Sequence, residues 1–134
     1  NSWNKKVIKN KNVIIKPYID GLVGAIKFSD VLVTRAGATT LAEILGVKIP
    51  SILIPSPYVT ENHQYKNAMS LVSKNAALLI EEKNLSVEKL IKQIDYLMDD
   101  KNKYKEIKNN LGKIRVQNSL DRIYDEIVKL TDKK

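Results

Sequence analysis

Cysteine is absent from this 134-residue sequence, which excludes disulfides and thiolate zinc sites and fits a reducing compartment. The one histidine, His63, is too few for a histidine-rich metal site. No apolar run approaches the roughly 20 residues that a membrane-spanning helix needs, and the N-terminus lacks the apolar core of a signal peptide. We therefore expect neither a disulfide scaffold nor a membrane span in this sequence.

The composition is that of a soluble globular domain, with 43% hydrophobic and 28% charged residues. Its length suffices for one domain with a real core and is too short for two ordinary ones. The net charge of +8 suggests affinity for anions such as phosphates, nucleic acid or acidic lipid headgroups. The lysines are spread along the chain rather than grouped, which favours the simpler interpretation that they keep the domain soluble.

Strand patterns alternate with helix patterns along the chain. The predicted strands are residues 13–16, 30–34, 51–54 and 76–80. The predicted helices are one capped by Asp20 and reaching Phe28, then residues 39–45, 63–74, one capped by Ser86 and ending at Asp99, and finally 103–111 and 119–131. Residues 1–12 are interpreted as the end of a helix or a linker. This alternation predicts an α/β fold with a Rossmann-like parallel sheet and flanking helices.

The segment from residue 30 to residue 67 contains the features that indicate function. Its first strand, residues 30–34, is apolar and β-branched, and is predicted to be buried on both faces. A turn of small residues leads from Arg35 into the helix 39–45, and a second buried strand follows. In such a βαβ unit the start of the helix presents free backbone N–H groups at the carboxyl edge of the sheet, where anions and nucleotides bind.

Three features of this unit have two interpretations each. Gly37 either serves a plain turn or lets the backbone approach a phosphate, with the hydroxyls of Thr39 and Thr40 as further donors. The run of small residues before the threonines favours the phosphate. Glu43 is either a solvated carboxylate near the positive end of the helix or a ribose-binding group, and its position alone favours the former. Arg35 either contacts a pyrophosphate or forms a salt bridge at the sheet edge.

A second polar cluster follows the strand 51–54, where a proline-containing loop meets the next helix. It consists of Glu61, Asn62, His63, Gln64 and Asn67. Gln64 and Asn67 are three residues apart and share a helix face, and their amides suit sugar hydroxyls. A general-base role for His63, oriented by Glu61, is the less favoured alternative, because such neighbours often occur by chance.

Two segments carry a family resemblance. TRAGATTLAEI, residues 34–44, and PSILIPSPYVTENHQYKNA, residues 50–68, closely resemble, with their spacing, the donor-binding half of the MurG glycosyltransferases. These peptidoglycan enzymes add N-acetylglucosamine to undecaprenyl-pyrophosphoryl-N-acetylmuramoyl-pentapeptide. The similarity runs from about Val13 to Leu97, and more loosely to the end.

The resemblance implies a GT-B architecture, in which two Rossmann-like domains enclose a cleft. Residues 1–134 are then a single, truncated C-terminal UDP-sugar-binding domain. The acceptor domain and the glycine-rich loop that opens the donor domain are absent, as is the loop carrying the family's candidate base. We therefore expect a segment of a longer protein that has no catalytic residue of its own and is inactive alone.

The resemblance also implies substrate-binding roles, with no cofactor and no bound metal. The residues are Ile19 for the uracil edge, Glu43 for the ribose, Ala38, Thr39 and Thr40 for the diphosphate and sugar, and His63, Gln64 and Asn67 for the N-acetylglucosamine hydroxyls. His63 stands where some members have Gln, so it is expected to bind sugar rather than take a proton. Lys48 replaces a usual glycine and should affect only the helix end.

The implied partners are UDP-N-acetylglucosamine, the lipid-linked acceptor and an anionic membrane surface on the cytoplasmic side of the bacterial cell membrane, with no nucleic acid. Two alternatives remain. One is the donor-binding subunit of a split glycosyltransferase, and the other is a non-catalytic basic module that binds nucleotides or nucleic acid. Attachment to acidic lipid through residues 101–113 is a further candidate, although the lysines there are not confined to one face.

Overall fold

A computed structural model describes residues 11–115, which form a three-stranded parallel sheet with flanking helices. The helices are α1 (Leu22–Lys27), α2 (Ala38–Val47), α3 (His63–Val72), α4 (Val87–Asp99) and α5 (Lys101–Lys113). The strands are β1 (Leu32–Thr34), β2 (Ser51–Leu53) and β3 (Leu78–Leu79), and two 3₁₀ turns span Thr60–Asn62 and Glu82–Asn84. The predicted α/β fold is confirmed. The predicted helix 119–131 and residues 1–10 of the predicted linker lie outside the described residues.

The sheet has the order β1-β2-β3, with Leu32 opposite Ser51 and Ile52 opposite Leu78. Parallel neighbours require a crossover connection, which α2 provides between β1 and β2 and α3 between β2 and β3. All three strands therefore end at the same edge of the sheet. This carboxyl edge is where ligands bind in open α/β sheets.

The core surrounds the central strand, because every residue of β2 is buried. Each helix from α2 to α5 adds a buried apolar residue: Ile44 from α2, Leu71 from α3, Leu97 from α4 and Ile107 from α5. Leu41 and Ile44 lie three residues apart on one side of α2, as the helical spacing predicts. The core thus fixes where α2 and α3 begin, at the carboxyl edge.

Three predictions for the first part of the chain are wrong. Residues 13–16 form no strand and are exposed, because β-propensity makes a strand only beside a neighbour, and none pairs with the outer edge of β1 within residues 11–115. Asp20 does not cap α1, since the preceding residue is Gly21 in a left-handed conformation with φ 68°. Val33 is 37% exposed, so β1 is not buried on both faces.

The predicted cap of α4 is confirmed, and α5 has a cap that was not predicted. The hydroxyl of Ser86 accepts a hydrogen bond from the N–H of Lys89 at 3.1 Å, as expected for the start of α4. Asp100 ends α4 and also caps α5, accepting from the N–H groups of Asn102 and Lys103, so α5 begins two residues earlier than predicted. No helix within residues 11–115 has both the length and the apolarity to cross a bilayer.

Lys48 ends α2 in a left-handed conformation, with φ 60° and ψ 42°. Its N–H donates to the carbonyl oxygen of Ile44 at 2.7 Å. Glycine is the residue best suited to this conformation, because it has no Cβ to clash with the backbone. The end of α2 is therefore strained, because Lys48 occupies a position where the family resemblance implies glycine.

Candidate functional site

The start of α2 leaves backbone donors open at the carboxyl edge of the sheet. Gly37 precedes the helix, and no side chain from the described residues caps it. The N–H of Leu41 donates to the carbonyl oxygen of Gly37 at 3.0 Å. The N–H groups of Ala38, Thr39 and Thr40 precede this bond and lack partners within the helix. Together with the helix dipole, these donors form a site suited to an anion.

Gly37 is not required by its backbone conformation or by its neighbours. Its φ of −69° and ψ of 151° are accessible to any residue. A Cβ built there meets, among the described residues, only the hydroxyl oxygen of Thr40 at 3.9 Å, an ordinary contact. The interpretation of Gly37 as a plain turn glycine is therefore weakened. The phosphate interpretation of Gly37 is compatible with this open surface and stays a prediction.

Glu43 lies in the second turn of α2, and the first turn contains no acidic residue. The helix dipole acts mainly within the first turn, so it explains this carboxylate poorly. Glu43 follows Thr39 by four residues and Thr40 by three, which places all three on one helix face. Within residues 11–115 the carboxylate has no hydrogen-bond or ion-pair partner, so it is open to accept bonds from a ligand.

Ile19 and Glu43 line a common cleft of about 580 Å³, together with the rest of residues 16–22. The left-handed Gly21 turns the chain into α1 beside this cleft. Among the described residues, neither the N–H nor the carbonyl oxygen of Ile19 has a hydrogen-bond partner. The structure therefore brings together an open backbone donor and acceptor with an open carboxylate, groups suited to a base edge and a diol.

The amide residues of α3 hold the loops around them. The side-chain oxygen of Gln64 accepts from the N–H of Ser56 at 2.8 Å. The side-chain nitrogen of Asn67 donates to the carbonyl oxygen of Ala36 at 3.1 Å. These backbone partners fix the orientation of each amide and leave the NH₂ of Gln64 and the side-chain oxygen of Asn67 without a hydrogen-bond partner within residues 11–115. Sequence reasoning did not predict these structural roles.

The Asn67–Ala36 hydrogen bond also connects the two predicted segments. Ala36 belongs to the turn before α2, and Asn67 belongs to α3. The turn that leads to the open N–H groups of α2 is therefore in contact with Asn67 of α3, at the carboxyl edge of the sheet. The donors at the start of α2 and the amides of α3 thus flank one region of the carboxyl edge, which we call the crevice between α2 and α3, with an anion side and an amide side.

His63 and Glu61 form an exposed pair at the start of α3. The Nε2 atom of His63 lies 3.6 Å from a carboxylate oxygen of Glu61, and the two side chains are 61% and 71% exposed. Glu61 and Asn62 both have left-handed backbones, with φ of 55° and 56°, and turn the chain sharply into the helix. A solvated pair of this kind gives the general-base alternative no support.

Arg35 forms a salt bridge, the second of the two interpretations considered for it. Its Nη1 lies 2.8 Å from Oε2 of Glu82, and its Nη2 lies 3.4 Å from Oε1. Nη1 also donates to the carbonyl oxygen of Ile54 at 3.2 Å. Sequence reasoning missed Glu82, although an acid in the turn that follows a strand at the carboxyl edge was a usable signal. No cluster of three or more metal-ligand side chains occurs in the described part of the chain.

Comparisons with known proteins identify a family and several relatives. Residues 1–123 match the model of the glycosyltransferase family 28 C-terminal domain. The chain is 44% identical over 122 residues to UDP-N-acetylglucosamine–N-acetylmuramyl-(pentapeptide) pyrophosphoryl-undecaprenol N-acetylglucosamine transferase 2 of Bacillus thuringiensis strain Al Hakam, covering 91% of this chain and 34% of that protein. The Acetivibrio thermocellus transferase of the same name is 43% identical, with 91% and 33% covered.

A solved structure agrees with the fold. The crystal structure of Acinetobacter baumannii MurG superposes with a TM-score of 0.71 at 23% identity, covering 85% of this chain and 33% of that one. At this identity the likeness shows the fold alone. The chain spans about a third of the length of these curated relatives, since it covers 34% of the first of them.

Proposed function

Because the chain belongs to the family of glycosyltransferase family 28 C-terminal domains, we propose that it is the donor-binding part of a longer N-acetylglucosaminyltransferase. The donor is UDP-N-acetylglucosamine, and the acceptor is undecaprenyl-pyrophosphoryl-muramoyl-pentapeptide. Residues 1–134 then belong to the C-terminal domain of a two-domain GT-B enzyme. The names of the transferases that share 43–44% identity with the chain support this assignment.

The observation that carries the proposal is the crevice between α2 and α3. Its anion side consists of the open N–H groups of Ala38, Thr39 and Thr40, which suit a diphosphate. Its amide side consists of the NH₂ of Gln64 and the side-chain oxygen of Asn67, which suit sugar hydroxyls. A diphosphate joined to a hexose is therefore a ligand that uses both sides.

The nucleoside end of the donor occupies the cleft shared by Ile19 and Glu43. The backbone of Ile19 pairs with the uracil edge, and the carboxylate of Glu43 accepts from the ribose hydroxyls. These contacts lie away from the anomeric carbon. Their binding energy holds the donor in place while bonds form and break at the anomeric carbon.

During transfer, the muramoyl 4-hydroxyl attacks the anomeric carbon with inversion, and UDP leaves. Negative charge then develops on the diphosphate. The helix-start N–H groups and the Thr40 hydroxyl stabilise that charge, because donors held at the start of α2 need no reorganisation as the charge develops. The base that takes the acceptor's proton comes from the other domain, and His63 contributes to sugar binding.

The acceptor is lipid-linked, so the complete enzyme works on the cytoplasmic side of the bacterial cell membrane as a peripheral protein. The net charge of +8 favours an anionic membrane surface. The product serves peptidoglycan synthesis, and through it cell-wall biogenesis, cell shape and cell division. Nucleic acid is not a partner in this proposal.

Calorimetry on the complete protein that carries this chain tests the proposal. We expect UDP-N-acetylglucosamine to bind and UDP-glucose to bind more weakly, because UDP-glucose lacks the N-acetyl group. Salt-dependent binding of single-stranded RNA without any binding of UDP would instead support the nucleic-acid module. A reading frame continuous upstream of Asn1 and encoding the acceptor domain would eliminate the split-enzyme alternative.

A further inference from the structure

One side chain connects the carboxyl ends of all three strands. Arg35 directly follows β1, and it donates to the carbonyl oxygen of Ile54, which directly follows β2. The same guanidinium forms a two-point contact with Glu82, which lies in the 3₁₀ turn after β3. A planar guanidinium facing a carboxylate in this way fixes orientation as well as distance.

The connected strand ends continue into both sides of the crevice. The chain runs from Arg35 through Ala36 and Gly37 into the start of α2. From Ile54 it runs to Ser56, whose N–H is bound by Gln64 of α3. Arg35 is therefore bonded to strand ends from which both sides of the crevice begin.

We propose that Arg35 and Glu82 form a positioning pair that sets the spacing between the diphosphate-binding turn and the hexose-binding amides. We call this pair the Arg35–Glu82 clamp. The inference rests on the proposed function, and it deepens that function by assigning a role to residues that need not touch the donor. Arg35 acts through Glu82 and Ile54, and not as a ligand of the diphosphate.

Simple electrostatics and the clamp make opposite predictions for Glu82→Gln. The donor is an anion, so removal of a nearby negative charge strengthens its binding through long-range attraction. The clamp predicts weaker binding, because the guanidinium loses its partner and the two loops lose their fixed spacing. The sign of the change therefore separates the two explanations.

Glu81→Gln is the matched control, because it removes the same charge one residue away. The carboxylate of Glu81 pairs with Lys83 at 3.1 Å and has no contact with Arg35 among the described interactions. We expect the control to bind UDP-N-acetylglucosamine as tightly as the wild-type protein or slightly more tightly.

The experiment is a double-mutant cycle on the complete protein, measured by calorimetry with UDP-N-acetylglucosamine. We expect Arg35→Gln and Glu82→Gln each to weaken binding by about threefold to tenfold, or about 0.6 to 1.4 kcal/mol. The double variant has the net charge of the wild-type protein, yet it should bind as weakly as the single variants. Uridine, followed by NMR chemical shifts, should bind all variants equally, because it uses only the cleft at Ile19 and Glu43.

Each outcome of this experiment either supports the Arg35–Glu82 clamp or overturns it. Weak binding by both single variants and by the double variant supports the clamp. If the double variant recovers the donor affinity of the wild-type protein, or if Glu82→Gln binds the donor as tightly as the wild-type protein or more tightly, the clamp is overturned. Long-range electrostatics or a direct contact of Arg35 with the donor is then the explanation. A wild-type protein that does not bind the donor removes the proposed function and the clamp together. Thermal unfolding verifies that each variant is folded. Arg35→Lys keeps the positive charge but lacks the planar guanidinium, so it should also bind the donor weakly.

Discussion

Replacing Glu43 with alanine should weaken UDP binding without destabilising the protein. Glu43 has no hydrogen-bond or ion-pair partner within residues 11–115, so its removal breaks no described interaction. In the proposed complex its carboxylate accepts bonds from two ribose hydroxyls. The loss should be about 1–3 kcal/mol, the scale of hydrogen bonds to a charged group, which is about fivefold to 150-fold in affinity.

The assay compares UDP with 2′-deoxyuridine diphosphate by calorimetry on the complete protein. The wild-type protein should prefer UDP, and Glu43→Ala should lose most of that preference, because the carboxylate no longer reads the 2′-hydroxyl. Glu106→Ala is the control, since that carboxylate lies on α5 and pairs with Lys103. An unchanged UDP affinity in Glu43→Ala, or an unchanged preference for the ribose form, refutes the ribose role.

Three further changes follow from the structure. Gly37→Ala should leave the melting temperature unchanged or slightly higher, because the added Cβ fits the protein. It should weaken donor binding by about tenfold in calorimetry, because the same Cβ obstructs a phosphate. Gly46→Ala, which adds a Cβ where nothing lies within 4 Å, is the control and should leave binding unchanged. Lys48→Gly should raise the free energy of unfolding by about 1 kcal/mol in urea titrations, because it relieves a left-handed residue, and donor affinity should not change. Burial raises the pKa of the Tyr104 hydroxyl above its usual 10.0, and the charge of Asp30 raises it further. The free energy of unfolding should therefore fall as the pH rises from 10.0 through this higher pKa, and Tyr104→Phe should show a smaller fall in the same urea titrations.

The helices and the central strand were predictable because their patterns are local. The spacing of Leu41 and Ile44 identifies the buried face of α2, and Ser86 has the side chain that caps a helix. Residues 13–16 have the composition of a strand but form none, because strand formation depends on a neighbour that local sequence does not reveal. The left-handed Gly21 likewise replaced a cap that the side chain of Asp20 suggested.

For the site, the sequence identified the residue types, but not which of their side-chain atoms are hydrogen-bonded to other parts of the protein. Gln64 and Asn67 are engaged by backbone groups of Ser56 and Ala36, eight and 31 residues away. The contact between Arg35 and Glu82 joins residues 47 positions apart, so local sequence can place an acid after the third strand but cannot identify its partner. Contacts of this kind follow from the order of the strands, which places all three carboxyl ends at one edge.

A crystal structure of the complete protein with UDP-N-acetylglucosamine tests the central claim most directly. We expect diphosphate oxygens within about 3 Å of the N–H groups at the start of α2, and hexose hydroxyls on the free amide atoms of Gln64 and Asn67. Uracil should pair with the backbone of Ile19. A donor bound away from the crevice between α2 and α3, or one whose diphosphate contacts none of the N–H groups of Ala38, Thr39 and Thr40, would contradict the account.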